Sequence, residues 1–272
     1  MESQQAKAAR FLASHRGPTP LLVPNPWDQG SARLFSWLGF EALATTSSGF
    51  AATRGRLDGA MSRDEILAHA WSIVEATTLP VSADLEHGFG DDPVDVAETV
   101  RLALACGLAG CSIEDATGRD DVPLYDVAMA TERLAAAAEV AHAGPVHLVL
   151  TGRAENHLHG VVDLGDTIAR LQAYGEAGAD VLYAPGLVDL GDIRRLVASV
   201  DRPVNVLARP GGPSVAELAD AGVARVSVGG ALCFAGLGAV SRAATELLER
   251  GTFGFWEQSA EGLGAARAAF VE

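Results

Sequence analysis

Two carboxylates follow a short apolar run in the first third of the chain. Asp84 and Glu86 come directly after residues 79–83 and are separated by one residue. On a β-strand, where side chains alternate with period two, both would point to the same side. Carboxylates that close repel each other unless a cation or a shared proton lies between them. The spacing therefore predicts a metal site at a strand end, and Gly88 and Gly90 allow the chain to turn away behind it.

The rest of the chain has the pattern of a repeated scaffold. Eight short runs rich in valine, isoleucine and leucine are each followed by a segment with helical spacing. Such alternation is typical of βαβ units and a parallel sheet. A doubly wound sheet would alternate too, but neither a GxGxxG motif nor a P-loop occurs. The sequence therefore predicts an α/β fold, a (β/α)8 TIM barrel of roughly 250 residues.

Additional helical segments flank the predicted barrel. Residues 3–15 read as an N-terminal helix, and residues 251–272 as a C-terminal helical extension of a single barrel domain over residues 1–272. The extension contains Phe253 and Trp256, and large aromatic side chains are rarely left in water. We expect it to pack on the barrel bottom or on a neighbouring subunit.

Composition excludes several classes of function. The net charge of -15 and the pI of about 4.8 argue against nucleic acid and anionic membranes as partners. Cys106, Cys111 and Cys233 form no CxxC pair, which fits a reducing cytoplasm and disfavours structural zinc. No uninterrupted apolar run reaches the roughly 20 residues that span a bilayer, and the N-terminus lacks the apolar core of a signal peptide. We therefore expect a soluble cytoplasmic protein.

Other polar residues fall where the predicted strands end. Glu114 follows the fourth strand, Arg153 the fifth, and Asn205 lies on the seventh. In a barrel of this kind the chemistry gathers at the carboxyl ends of the strands, so these side chains should meet Asp84 and Glu86. Any one of these acids alone could equally be a solvated loop charge.

The grouped acids predict a hard cation. Several carboxylates suit Mg²⁺ or Mn²⁺ better than zinc, and Mg²⁺ keeps several waters. We expect Asp84 to bind the metal directly and Glu86 and Glu114 to act through water. Arg153 is either a structural partner of Glu114 or a group that forks onto a substrate carboxylate.

The end of the second strand predicts a substrate contact. Residues 47–50 are small apart from Phe50, and their backbone amides are suited to bind a carboxylate. The histidines are weaker signals. His87 is best read as a turn residue, and the His157-x-His159 pair on a loop is poor evidence for a metal.

Taken together, these motifs resemble the isocitrate lyase / phosphoenolpyruvate mutase family, through nearly the whole barrel. The segments that carry the resemblance are Pro24-Asn25-Pro26-Trp27-Asp28, Ser47-Ser48-Gly49-Phe50, Asp58, Asp84-Leu85-Glu86-His87-Gly88-Phe89-Gly90, Ser112-Ile113-Glu114-Asp115, Arg153, and Glu176-Ala177-Gly178-Ala179-Asp180.

The resemblance implies Mg²⁺-dependent making or breaking of a C–C or P–C bond, through a metal-bound pyruvate-like enolate. It also implies a homo-oligomer, a dimer or tetramer with exchanged C-terminal helices. The implied roles are substrate binding by Ser48, Gly49, Phe50, Arg153 and Asn205, metal binding by Asp84, Glu86 and Glu114, and catalysis by Arg153, Glu114 and Asp58.

The loop after Glu114 departs from the family pattern. Lyases of the isocitrate type carry a Lys-[KR]-Cys-Gly-His loop there, whereas residues 116–123 contain no cysteine, and the Lys and Asn of the phosphonate enzymes are also missing. Cleavage of an oxaloacetate-like 2-oxo or 2-hydroxy dicarboxylate needs least from a dedicated acid, so a C–C bond lyase on this small anionic acid is favoured. The alternatives are a P–C bond enzyme and a non-catalytic oxo-acid-binding relative.

Overall fold

The structure is a computed structural model, and it describes residues 2–271. Eight strands alternate with helices along the chain. The strands are β1 (Leu21–Val23), β2 (Leu43–Ala44), β3 (Val81–Asp84), β4 (Gly110–Glu114), β5 (Val149–Arg153), β6 (Val181–Tyr183), β7 (Val204–Leu207) and β8 (Arg225–Ser227). The helices are α1 (Gln4–Ser14), α2 (Gln29–Trp37), α3 (Ser47–Thr53), α4 (Arg63–Glu75), α5 (Pro93–Ala105), α6 (Val127–His142), α7 (Leu164–Glu176), α8 (Leu190–Ala198), α9 (Val215–Asp220), α10 (Ala231–Arg250) and α11 (Trp256–Ala269).

The strands form one parallel sheet that curls into a barrel. Its order is β1-β8-β7-β6-β5-β4-β3-β2, so strands β2 to β8 pair in sequence order and β8 returns to β1. Between β2 and β1 the gap is bridged by one hydrogen bond, from the Ala44 amide to the Pro24 carbonyl oxygen at 3.2 Å. The predicted (β/α)8 barrel is confirmed. The carboxyl ends of all eight strands therefore face one side.

Helix α1 closes the opposite end of the barrel. Ala8 and Phe11 on this helix are buried together with Val149 and Val181 at the starts of β5 and β6. Phe11 packs so tightly on Gly110 that a Cβ there would lie 2.8 Å from its ring. The predicted N-terminal helix thus seals the barrel bottom.

The C-terminal helices lie outside the barrel wall. Helix α11 packs on α2, and Phe270 lies against Gly30 of that helix. Helix α10 is long and apolar enough to cross a membrane by length and composition. This differs from the expectation, based on uninterrupted apolar runs, that no segment is long enough to span a bilayer. Only 6% of this stretch is buried within the chain, so α10 is not a core helix, and one such helix alone is weak evidence for a membrane. Its exposed apolar residues include Phe234 and Val240.

Candidate functional site

A cavity of about 220 Å³ opens among the carboxyl ends of the strands. Asp58, Asp84, Arg153 and Tyr183 line its walls together with Asn205. Four larger grooves, of about 430, 520, 630 and 750 Å³, lie elsewhere on the surface, and the largest of them is lined by Asp64, Asp91 and Asp95 beside the loop after β3. Because chemistry in this fold gathers at the strand ends, the smaller cavity is the candidate site.

Arg153 is the centre of the charged groups at this cavity. Its Nη1 lies 3.2 Å from Glu114 Oε2 and 3.5 Å from Asp84 Oδ1. Its Nε donates to Glu155 Oε1 at 2.5 Å. The guanidinium also lies over the Tyr183 ring, 5.2 Å from the centroid. The structure therefore brings predicted Asp84, Glu114 and Arg153 together and adds Glu155, which the predicted site lacks.

Asp84 is held by groups of the neighbouring strand end. The Asp84 backbone amide donates to Thr45 Oγ1 at 3.0 Å, and Ser47 Oγ donates to Asp84 Oδ2 at 3.0 Å. Since β3 ends at Asp84, its side chain enters the cavity at the edge where β2 and β3 run out.

Glu86 is absent from the cavity lining but lies next to Asp84, whose Oδ1 accepts the Glu86 amide at 3.3 Å, in a way that strand alternation does not explain. It lies beyond β3 with a φ of +49°, a left-handed conformation that is unusual for a residue with a Cβ. Its Oε1 is buried and has no hydrogen-bond partner. Burial, followed by the charges of Asp84 and Asp58, raises the pKa of Glu86 to about 8. The alternation of side chains along a strand therefore does not explain why this carboxylate lies near Asp84.

These acids fit a hard divalent cation. Burial, helped by Asp84, raises the pKa of Asp58, and burial raises the pKa of Glu114 well above its usual range against the opposing charge of Arg153. Their oxygens do not all lie within 4.8 Å of one another, unlike the donor atoms of His142, His147 and Asp180. Together with the orphaned buried oxygen of Glu86, however, they offer the oxygen donors that Mg²⁺ or Mn²⁺ prefers. Asp58, Asp84 and Glu86 are the residues that would hold it.

A second cluster with metal-ligand chemistry lies at the other end of the barrel. His142 and His147 both contact Asp180, at 3.1 and 2.9 Å, before β5 and β6 begin. Asp180 Oδ2 also accepts the Leu150 amide at 2.9 Å. This cluster ties the end of α6 to two strand starts and is separate from the cavity.

The predicted carboxylate-binding turn is a short helix. Helix α3 begins at Ser47 with Thr46 as its N-cap, and the Gly49 amide donates to Thr46 Oγ1 at 3.2 Å. Ser48 lines the cavity, whereas the Phe50 ring stacks on His69 at 4.0 Å, away from the lining residues. Of the predicted residues 48–50, Ser48 lies in the cavity wall. The Gly49 amide donates to the N-cap of α3 and is therefore not free to bind a carboxylate.

The floor of the cavity contains residues that the sequence prediction missed, apart from Asn205. Asn205 Oδ1 accepts from Arg225 Nε at 3.0 Å, and its Nδ2 donates to Ser227 Oγ at 3.1 Å. Asn25 Oδ1 accepts the Gly229 amide at 2.9 Å and fixes the turn after β8. Arg225, a charged residue at the start of the short strand β8, is the one signal in the sequence that could have drawn attention to this group.

The altered loop after β4 is tied to the loop after β3. Arg119 Nη1 contacts Asp91 Oδ2 at 2.7 Å on the outer surface and is absent from the cavity lining, so it does not replace the missing family lysine. The backbone of residues 87–91 is held by Arg133, which donates to Gly90 O at 2.6 Å. All three cysteines of the chain lie outside the cavity lining.

The chain is similar to characterised lyases and mutases. The family model described as phosphoenolpyruvate phosphomutase matches residues 11–248. A solved structure of a putative lyase/mutase from Burkholderia cenocepacia is 52% identical and covers 98% of this chain and 97% of that one, with a TM-score of 0.95. The 2-methylisocitrate lyase of Bacillus subtilis is 28% identical, over 76% of this chain and 68% of its own length. The structure of 2,3-dimethylmalate lyase is 25% identical, with a TM-score of 0.83, over 93% and 90% of the two chains.

The resemblance inferred from the motifs and the expectation of an enzyme are thereby confirmed. The match runs across the barrel, including every strand and the loops that carry Asp58, Asp84 and Arg153. The chain belongs to the phosphoenolpyruvate phosphomutase family, within the superfamily that also contains the isocitrate lyases.

Proposed function

We propose that this chain is a Mg²⁺-dependent carbon–carbon bond lyase that acts on a small 2-oxo or 2-hydroxy dicarboxylate of the oxaloacetate type. The observation that carries the proposal is the set of carboxylates around the cavity, with the orphaned Glu86 oxygen beside Asp84 and Asp58. Carboxylates arranged in this way are stable together only when a cation or protons compensate their charge. By name, the related lyases act on 2,3-dimethylmalate, a 2-hydroxy dicarboxylate, and on 2-methylisocitrate, a hydroxy acid with three carboxylates.

The residues of the cavity have separate roles in the proposed reaction. Asp84, fixed by Ser47, and Asp58 would hold the cation. When bound, Mg²⁺ supplies positive charge next to the substrate oxygen on which negative charge develops. Arg153, fixed by Glu114 and Glu155, places its guanidinium near the same substrate oxygen. Electrostatic stabilisation of the developing negative charge is strongest in a site that is shielded from water. Ser48 offers a hydroxyl to the substrate at the rim.

The absence of a cavity cysteine points to the reaction type. Cys111 is buried in the core, and burial raises the pKa of its thiol to about 12. Cys233 lies behind Gly49, with its Sγ 3.7 Å from the Gly49 carbonyl oxygen. Without a thiol acid at the cavity, protonation of the product falls to solvent. Loss of carbon dioxide or cleavage of an oxaloacetate-like acid tolerates this better than isocitrate-type cleavage.

The proposal is tested with a panel of acids in the presence of Mg²⁺. The protein is incubated with oxaloacetate, 2-methylisocitrate, isocitrate and phosphonopyruvate, and release of pyruvate or glyoxylate is followed. We expect turnover of oxaloacetate or a related dicarboxylate that stops when EDTA is added. Turnover of phosphonopyruvate alone would instead identify a P–C bond enzyme.

We further propose that the chain functions as a cytoplasmic homo-oligomer, a dimer or tetramer that exchanges its C-terminal helices. Leu237, Val240 and Leu248 on α10 are 48%, 65% and 88% exposed, and their spacing of three and eleven residues places them on one face of the helix. Trp256 at the start of α11 is also 64% exposed. A second copy of the chain would cover these residues.

A further inference from the structure

Arg225 is a buried cation at the floor of the cavity. It is the first residue of β8, only 6% of it is exposed, and it lines the cavity. Its Nε donates to Asn205 Oδ1 at 3.0 Å, its Nη2 donates to Thr151 Oγ1 at 3.1 Å, and its Nη1 lies 3.3 Å from His15 Nε2. Burial, together with the charge of Arg225, lowers the pKa of His15 to about 3, so this ring is neutral at pH 7. All three partners are therefore uncharged.

The charge of Arg225 has no counter-charge in the part of the chain that the structure describes. No carboxylate oxygen of residues 2–271 lies within 4.0 Å of its guanidinium, whereas Arg153 has three carboxylates in that range. Burial lowers the pKa of Arg225 to about 10, which still leaves it protonated at pH 7. An unpaired buried charge is strongly unfavourable, and a guanidinium has five N–H donors, of which three are accounted for.

The space around this guanidinium is polar. Interiors of such barrels are usually filled by branched apolar residues. Here Ser82, Ser112 and Ser227 line the cavity on three different strands, and Thr151, the register partner of Ser112, lies on a fourth. Small hydroxyl side chains leave room along the barrel axis and can donate hydrogen bonds to an anion.

The two arginines of the cavity enter from opposite ends. Arg153 is the last residue of β5 and Arg225 the first of β8, and the strands are parallel. Arg153 already contacts three carboxylates, so of these two arginines Arg225 is the one whose charge is available to an anion. A cavity of about 220 Å³ is smaller than the roughly 300–1,000 Å³ of sites for drug-sized ligands, and it suits an acid of a few carbon atoms.

We propose that Arg225, with Asn205 and the surrounding serine hydroxyls, forms an anion subsite at the cavity floor that binds the second carboxylate of a dicarboxylic substrate. The inference rests on the proposed function. In that proposal the first carboxylate of the substrate and its 2-oxo or 2-hydroxy group lie next to the cation that the acids at the cavity mouth would hold. It makes Arg225 a specificity-determining residue that selects dicarboxylates over monocarboxylates.

The test compares two non-reacting 2-hydroxy acids that differ in one carboxylate. Binding of malate and of lactate to the Mg²⁺-loaded wild-type protein is measured by calorimetry. We expect malate to bind at least tenfold more tightly than lactate. Equal affinity for the two acids overturns the subsite and leaves the proposed function standing, whereas failure of both to bind contradicts the subsite and the proposed function together.

Three variants assign the preference to Arg225. Arg225→Met should remove the preference for malate and leave the affinity for lactate within about twofold, and Arg225→Lys should keep much of it. Asn205→Asp places a carboxylate against Arg225 Nε at nearly unchanged volume, so it should abolish the preference even if Arg225→Met does not fold. A malate preference that survives in folded Arg225→Met or in Asn205→Asp overturns the proposal. Inorganic phosphate should compete with malate for the wild-type protein, and binding of phosphate without such competition also overturns the proposal.

Discussion

Arg153 Nε donates to Glu155 Oε1 at 2.5 Å, in a pair whose side chains are only 17% and 5% exposed. This contact fixes the plane of the guanidinium that also touches Asp84 and Glu114. Glu155 therefore acts as a positioning residue for Arg153. Its backbone amide donates to Asp115 Oδ1 at 2.7 Å, which anchors it to the buried end of β4.

Glu155→Gln should lower activity without unfolding the protein. A hydrogen bond to a charged group contributes about 1.5–3 kcal/mol, so kcat should fall roughly ten- to hundredfold while KM changes little. Glu98→Gln, which removes the exposed partner of Arg101, is the control and should change neither quantity. A Glu155→Gln enzyme with wild-type kcat would show that the pair does not orient Arg153.

Gly110→Ala should destabilise the contact between α1 and the barrel bottom. The added Cβ would lie 2.8 Å from the Phe11 ring and from the Val149 carbonyl oxygen, which cannot move away cheaply. Overpacking of this kind costs about 1–3 kcal/mol, measured as a lower free energy of unfolding in urea. Gly144→Ala, with its nearest neighbour 4.0 Å away, should change the free energy by less than about 0.5 kcal/mol. Equal stabilities of the two variants would contradict the packing.

His69 should make the protein less stable as the pH falls. Burial lowers the pKa of His69 to about 4, against 6.5 in the unfolded chain, while its Nε2 contacts the Trp27 carbonyl oxygen at 3.0 Å. The unfolded state therefore binds a proton between pH 6.5 and 4 that the folded state does not, and stability decreases with falling pH by up to about 1.4 kcal/mol per pH unit.

His69→Gln tests this pH dependence. Between pH 7 and pH 5 the variant should lose about 1–2 kcal/mol less stability than the wild type, measured by urea unfolding at each pH. An NMR titration of the ring in the wild type gives an independent reading. Parallel pH profiles for the two proteins would show that His69 titrates normally in the folded state.

The exposed face of α10 should control assembly. Replacing Leu237 and Val240 by lysine places two charges in the proposed subunit contact, where burial without partners is costly. Light scattering should give a multiple of 28.1 kDa for the wild type and about 28.1 kDa for the double variant. Val94→Lys, at an exposed valine on α5, should leave the mass unchanged. A monomeric wild type would contradict the proposed oligomer.

The barrel and most of its acid cluster could be predicted because both follow from local patterns. Alternating apolar runs and helical spacing define eight βα units, and the strand-end rule then selects Asp84, Glu114 and Arg153 without further information. The capping box of Ser62 and Glu65 at α4 is equally local and is present in the structure. Such features depend on residues a few positions apart.

The features that sequence reasoning missed depend on long-range contacts or on local backbone geometry. His15 meets Arg225 across 210 residues, so nothing near either position announces the pair. The Thr46 hydroxyl caps α3 and turns an expected open turn into a helix, and Glu86 adopts a left-handed conformation where a regular strand was assumed. Tertiary packing overrides local preference at these positions, as is common at functional sites.

Calorimetric titration of the protein with Mg²⁺ shows whether the acids around Asp84 bind a divalent cation. We expect saturable binding by the wild type and by Asp201→Asn, an exposed control at the opposite end of the barrel. Asp84→Ala should abolish binding while circular dichroism shows an intact fold. Unchanged Mg²⁺ affinity in Asp84→Ala, or no binding by the wild type, would contradict the account.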